Sequence, residues 1–349
     1  MSRPTLYLLA MNRLLLALRL SACLVALTGC ATAGRGFSAT TGPSSEAAPT
    51  RGSVHQDVFF APSLGVTKRL IVYLPPSYGH DANRRYPVAY YLHGLYGAET
   101  DWQSKGNIDA VADSLFAHGT PESIIVLPDG DDGWYTTWVS PVGFQTCADT
   151  LRSEAAARYC VAQSRYDDYI ARDIVTHVDE SYRTRQERGA RGIGGLSMGG
   201  YGAISIALRY PDVFGLAASH SGVLSPLYLG PHPFAEPARY AQTAADLKTA
   251  TDQLWPRYLE FWGADVARWR AADPARLAEA AKQGGRPLPA LFFDCGTEDG
   301  LVDQNRALHA ELTRLGIRHA YAEWPGAHTW RYWSAHVGES LAWMGRNWQ

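Results

Sequence analysis

The chain has 349 residues, 46% of them hydrophobic and 19% charged, which is enough apolar content to bury one large core. A formal net charge of −2 leaves no basic stripe of the kind that holds nucleic acid, so no nucleic-acid partner is expected. The 11 Trp and 19 Tyr residues are generous; such aromatics fill cores or line a carbohydrate or aromatic pocket.

Residues 1–30 read as a targeting segment rather than as fold. Arg13 supplies a positive start, and 14–27 is an apolar run broken only by Arg19, Ser21 and Cys23. That run is too short and too interrupted to span a bilayer, but it suits the core of a signal peptide. Its end, Leu27-Thr28-Gly29-Cys30, resembles the lipobox of bacterial lipoproteins. The resemblance implies cleavage before Cys30 and a diacylglycerol on its sulfur, hence a lipid anchor in the periplasm or cell envelope. A plain secretory peptide with an incidental cysteine is the alternative. Met11, followed by Asn12-Arg13, makes a better signal start than Met1. Residues 31–52 are rich in Ala, Thr, Gly, Ser and Pro, a composition that cannot offset its ordering entropy and predicts a flexible tether.

From residue 53 to 349 short apolar runs alternate with helical patterns, which predicts an α/β fold: a mainly parallel sheet with helices on both faces. Strands are expected at 55–60 and 68–74, the second closed by Pro75-Pro76. Val88 to Leu92 reads as a buried strand running into His93-Gly94-Leu95. Residues 108–117 have helical spacing, with Ile108, Val111, Leu115 and Phe116 on one face. A strand at 123–127 stops at Pro128-Asp129-Gly130. An export signal implies an oxidising compartment, so Cys147 and Cys160 are expected to form a disulfide that closes a short loop. A helix at 169–182 carries Ile170, Ile174 and Val178, and a thin glycine-rich strand at 191–195 leads to Ser197. A helix at 201–210 and a strand at 214–219 follow. Residues 223–289, with Trp255, Phe261, Trp262 and Trp269, interrupt the rhythm and read as a cap or lid. A strand at 291–294, a helix at 302–315, a strand at 318–324 and a closing helix at 334–344 complete the domain. Cys295 reads as a buried, unpaired strand residue. No Cys/His spacing resembles a zinc site, so neither metal nor cofactor is expected.

Gly195-Leu196-Ser197-Met198-Gly199 is a G-x-S-x-G motif between a strand and a helix. The chemistry needs a sharp turn that lifts the serine hydroxyl clear of the backbone, and flanking glycines relieve its crowding. A serine hydroxyl also needs a base, and the base an orienting carboxylate. His220 follows too soon for an acid to precede it, His232 lies in the lid, and His309, His319 and His336 fall inside regular elements. His328, in a loop just past the last large strand, is the candidate base. For the acid, Glu298 and Asp299 occupy the turn after the 291–294 strand, and residue chemistry leaves the two close. Two backbone N–H donors must face the developing oxyanion: one from Met198, the other from the loop His93-Gly94-Leu95, in which His93 is expected to hold the loop.

Together these stretches resemble the esterase branch of the α/β hydrolases, which includes S-formylglutathione hydrolases (esterase D), feruloyl, acetylxylan and tributyrin esterases, and mycolyltransferases. The matching residues are Tyr86-Pro87-Val88, Tyr91-Leu92-His93-Gly94, Asp101-Trp102, Leu127-Pro128-Asp129-Gly130, Trp134-Tyr135, Gly195 to Gly200, Cys295 to Asp299 and Gly326 to Trp330. The resemblance implies Asp299 as the triad acid, Leu95 and Met198 as oxyanion donors, and Trp134 and Tyr135 as a wall of the substrate pocket. It implies a serine esterase acting on small-molecule or carbohydrate-linked esters. An acyltransferase on the same scaffold, or a non-catalytic glycan-binding lipoprotein, are the other readings. The segment holding Cys147 and Cys160 and the long cap depart from the family pattern where substrate choice is made.

Overall fold

The structure, a computed structural model, describes residues 50–140, 147, 160–251 and 254–349. Cys30, the signal segment and most of the expected tether lie outside the described residues. Residues Ala47–Gln349 form one compact unit.

Ten strands are described: β1 (Ser53–Ala61), β2 (Val66–Leu74), β3 (Val88–Leu92), β4 (Ile124–Pro128), β5 (Arg191–Gly195), β6 (Leu216–His220), β7 (Tyr228–Gly230), β8 (Arg239–Tyr240), β9 (Ala290–Gly296) and β10 (His319–Trp324). Eight of them make one sheet in the order β1-β2-β4-β3-β5-β6-β9-β10. The β1–β2 and β2–β4 pairs are antiparallel. Every pair from β4 to β10 is parallel. Parallel strands need crossovers, and the helices that supply them cover both faces. The alternation of side chains shows in β3: Val88, Tyr90 and Leu92 enter one core layer, Ala89 and Tyr91 the other. Both layers are apolar, so β3 reads as a continuous hydrophobic run.

The expected α/β architecture stands, with shifted element ends. The helix after Ser197 spans Met198–Arg209, three residues earlier than its apolar spacing indicates, because its first turn is glycine-rich and packs by closeness rather than by side chains. The helix expected at 169–182 starts with Tyr166–Asp168, widens into a π turn at Tyr169–Ile174 and ends with Val175–Ser181. The closing helix is Trp330–Asn347 and begins just past His328. Its first turn is aromatic, which hid the start. No helix of the described residues is long and apolar enough to cross a membrane.

Between β6 and β9 the cap holds the small β7–β8 sheet and the helices Ala244–Thr251, Trp255–Trp262, Val266–Ala272 and Pro274–Gln283. Trp262 anchors it to the body, with ring centroids 5.6 Å from Trp134 and 5.6 Å from Tyr201, and packs within the cap on Trp269 at 4.8 Å. Asp273 caps the Pro274–Gln283 helix by accepting the Ala275 and Arg276 N–H groups. Cys147 and Cys160 are bonded, with Cα atoms 5.6 Å apart, and Cys295 is a free thiol buried on β9.

Candidate active site

Ser197 sits between β5 and its helix at φ +53°, ψ −118°, a backbone state that a side chain rarely adopts and that costs about 1–3 kcal/mol. The turn is tight enough to require glycine on both sides. A Cβ on Gly195 would lie 2.4 Å from the Gly199 carbonyl oxygen, and one on Gly199 would lie 2.4 Å from that of Leu92. The strained serine is held by its N–H, which donates to the His220 carbonyl at 3.0 Å.

Two distant loops meet the hydroxyl. His328, in the loop after β10, places Nε2 2.9 Å from Ser197 Oγ and Nδ1 2.8 Å from Asp299 Oδ2. Nδ1–H therefore donates to the carboxylate, and Nε2 is left to accept from the serine. The His328 ring meets the buried Trp333 edge-on at 4.9 Å. Asp299, after β9, has a fully buried side chain and also accepts the Leu301 N–H at 2.8 Å. Burial pushes its carboxyl up, but the hydrogen bond and charge of His328 and the Leu301 N–H outweigh it, so it lies below its ordinary value. Glu298, one residue away, is exposed. Burial and contact with His328 thus separate the two acids that residue chemistry leaves close. Other histidines go elsewhere: His232, on the cap, faces Asp303 of the helix after β9, and His309 contacts His319.

Leu95 and Met198 both line the cavity in front of Ser197. Met198 opens its helix, so its N–H has no acceptor within the helix. At the other loop, His93 Nδ1–H donates to the Gly94 carbonyl at 2.8 Å while its Nε2 accepts the Gly130 N–H at 2.9 Å. Because the peptide is planar and trans, fixing the Gly94 carbonyl turns the Leu95 N–H to the opposite side. His93 is buried and holds the loop.

The cavity has a volume of about 590 Å³. Trp134 lines it, but Tyr135 does not. Tyr135 is fully buried beneath the loop, where its hydroxyl donates to the His93 carbonyl at 3.0 Å, so the pocket reading of this residue is corrected. The loop rests on Lys68, whose buried ammonium lies 2.8 Å from Asp129 Oδ2 and 2.7 Å from Asp131 Oδ1. Burial pushes Asp131 up to about 7, while the Lys68 charge holds Asp129 below its ordinary value in spite of burial. Sequence reasoning missed Leu254 and Tyr258, which line the cavity one turn apart on the cap, and Trp333 beside His328. The i,i+4 spacing of Leu254 and Tyr258 was the available signal. Tyr96, Trp134 and Ser197, at φ +63°, +54° and +53°, gather strained backbone around this cavity.

Comparison with known proteins bears on the family and the fold. A protein-family model described as "Putative esterase" matches residues 61–344. The chain belongs to the esterase family of α/β hydrolases. An esterase of Mycobacterium tuberculosis is 28% identical over 281 residues, covering 78% of this chain and 55% of its own. The chain thus spans about half the length of the first curated relatives it matches. An acetyl esterase of Caldicellulosiruptor saccharolyticus is 25% identical over 263 residues, covering 74% of this chain and 82% of its own. A fluorophosphonate-binding serine hydrolase of Staphylococcus aureus shares the fold, with a TM-score of 0.65 at 21% identity over 84% of this chain and 99% of its own. A ferulic acid esterase also shares it, with a TM-score of 0.61 at 24% identity over 86% and 99%.

Proposed function

We propose that this esterase-family chain is an exported serine esterase that cleaves small-molecule or carbohydrate-linked carboxylic esters through an acyl-enzyme. The observation that carries the reading is the unbroken run from Asp299 through His328 to Ser197, at 2.8 and 2.9 Å, opening on a cavity. Ser197 Oγ attacks the ester carbonyl while His328 Nε2 takes its proton, and Asp299 stabilises the imidazolium. The Leu95 and Met198 N–H groups receive the oxyanion. His328 returns the proton to the departing alcohol, and a water activated by the same imidazole then releases the acid.

Trp134, Leu254 and Tyr258 line the cavity, which suits an ester with an apolar or aromatic group. Two solved structures of similar fold, both with TM-scores of 0.57, are feruloyl esterases bound to ferulic acid and to sinapinate. The Leu27-Thr28-Gly29-Cys30 signature and the Cys147–Cys160 bridge support a lipid-anchored protein of the periplasm or cell envelope.

A screen of the purified domain on p-nitrophenyl acetate and butyrate, feruloyl esters and acetylated xylan tests the activity. Hydrolysis together with fluorophosphonate labelling at Ser197 supports it, and failure of both sinks it. Transfer to an added sugar or alcohol that outpaces hydrolysis would make the chain an acyltransferase. Labelling with a palmitate analogue that is lost in Cys30→Ala supports the anchor; label that persists, or never appears, rejects it.

A further inference from the structure

Beneath the active site lies a second imidazole–carboxylate pair. His220, the last residue of β6, and Asp294, on β9, are strand neighbours with fully buried side chains. His220 Nδ1 lies 2.6 Å from Asp294 Oδ2, and His220 Nε2 lies 2.8 Å from Ser340 Oγ on the closing helix. The Ser340 hydroxyl donates to the Val337 carbonyl at 3.0 Å, so its lone pairs face His220 and the Tyr91 hydroxyl, 2.7 Å away. His220 Nε2 is therefore a donor. The second carboxylate oxygen accepts the Tyr332 hydroxyl at 2.9 Å.

This cluster does not line the cavity in front of Ser197, and the steps from Ser197 to product do not use it. Its backbone and its partners nevertheless reach both halves of the site. The His220 carbonyl accepts the N–H of the strained Ser197. The Asp294 carbonyl accepts the Ser221 N–H at 2.8 Å, fixing the strand end that carries His220. Tyr332 stands four residues past His328, on the first turn of the helix that the base loop feeds. A buried polar pair is costly to desolvate compared with well-packed apolar side chains, so directional restraint is the better account of what it supplies. A strained residue such as Ser197 persists only where its surroundings over-determine it.

We infer that the sealed His220–Asp294 pair, with Tyr332, is a positioning element for catalysis, holding the Ser197 turn and the His328 loop in one register. The inference rests on the esterase reading and deepens it. The step it serves is the proton transfer across the 2.9 Å Ser197–His328 contact, which a small shift of either loop would spoil.

The test uses Tyr332→Phe, which removes one hydroxyl and keeps the ring, and Asp294→Asn. Active sites are counted with a fluorophosphonate, and kcat and KM on p-nitrophenyl butyrate are expressed per titrated site. Tyr332→Phe is expected to lower kcat and the phosphonylation rate about tenfold, and Asp294→Asn up to about a hundredfold, with KM within about twofold. A merely structural pair would lower the unfolding temperature and leave kcat per site unchanged. Unchanged kcat in folded Tyr332→Phe therefore overturns the inference, even where Asp294→Asn fails to fold. A native protein that never reacts at Ser197 overturns the esterase reading as well, so the two failures are distinguishable.

Discussion

Two groups of serine, histidine and aspartate stand at the same edge of the sheet, and their side chains are nearly equivalent in chemistry. In one, His328 joins Asp299 to Ser197; in the other, His220 faces Asp294 and Ser340. The imidazole–hydroxyl distances are 2.9 and 2.8 Å. What differs is everything around them. The His328 side chain is 36% exposed and opens on the cavity, whereas His220 is sealed. Ser197 sits on strained backbone at a helix N-terminus beside two candidate oxyanion donors, whereas Ser340 lies inside a helix with its hydroxyl already committed to Val337. A serine, a base and an acid in contact are therefore not enough to define a nucleophile; access, a free lone pair on the base and donors for the developing charge decide it.

The largest effect should come from breaking the open group. Ser197→Ala is expected to lower kcat on p-nitrophenyl butyrate by about 10⁴ to 10⁶, leaving roughly 10³ to 10⁴ over water from the remaining donors and binding. Near-normal turnover would remove the distinction between the two groups. Asp299→Asn comes next: losing the carboxylate that holds the Nδ1–H tautomer of His328 should cost about 10⁴ in kcat. Glu298→Gln, an exposed change one residue away, should stay within about twofold. Steady-state kinetics of the pair checks both, and the reverse ranking would move the acid to Glu298.

Much of the open group was legible in the sequence, and almost none of the sealed one. The G-x-S-x-G turn carries local glycine signals, and chain order left His328 as the one histidine in a suitable loop. The choice of Asp299 over Glu298 came from family resemblance, because residue chemistry alone does not say which side chain points inward. His220 was set aside by the same chain-order reasoning, and Asp294 looked like an ordinary strand residue. Their pairing comes from the parallel register of β6 on β9, a long-range fact with no local signature. Tyr135 misled for a related reason: its neighbour Trp134 does line the cavity, and at φ +50° the backbone turns Tyr135 away under the loop. The cap was visible as a break in rhythm, but which of its aromatics reach the cavity depends on helix rotation.

A third carboxylate sharpens what an imidazole partner does. Asp299 is held below its ordinary value, so it adds stability above about pH 3.8 that is lost as pH falls through its folded-state value. Asp273, buried without an imidazole, is pushed by burial up to about 7 even though the Arg276 and Ala275 N–H groups pull it down. The sign is opposite. Its folded form keeps a proton that the unfolded chain has lost, so its contribution is full below pH 3.8 and is lost as pH rises to about 7. Asp273→Asn keeps the helix cap, since Asn caps about as well as Asp, and removes the titration. Urea unfolding at pH 4.5 and 7.5 should show the native protein losing roughly 2–4 kcal/mol more across that interval than the variant. Parallel pH profiles would mean that Asp273 titrates alike in both states.

The smallest effect tests the sealed group from its far side. Ser340→Ala deletes a buried hydroxyl that accepts from His220 and Tyr91 and donates to Val337, leaving three polar partners short of one contact. The change should cost about 1–3 kcal/mol in unfolding free energy, measured by urea titration. It should keep fluorophosphonate labelling, with the label still on Ser197, because Ser340 has neither access nor a strained turn. In this it differs from Ser197→Ala, although both delete one hydroxyl beside one imidazole. Since Ser340 orients His220, kcat per titrated site should fall a few-fold, less than in Tyr332→Phe, where the restraint on the helix after His328 is itself removed. Label found on Ser340 in the native protein, or lost altogether in Ser340→Ala, would mean that the sealed and open groups exchange roles, and the contrast drawn from their surroundings would fail.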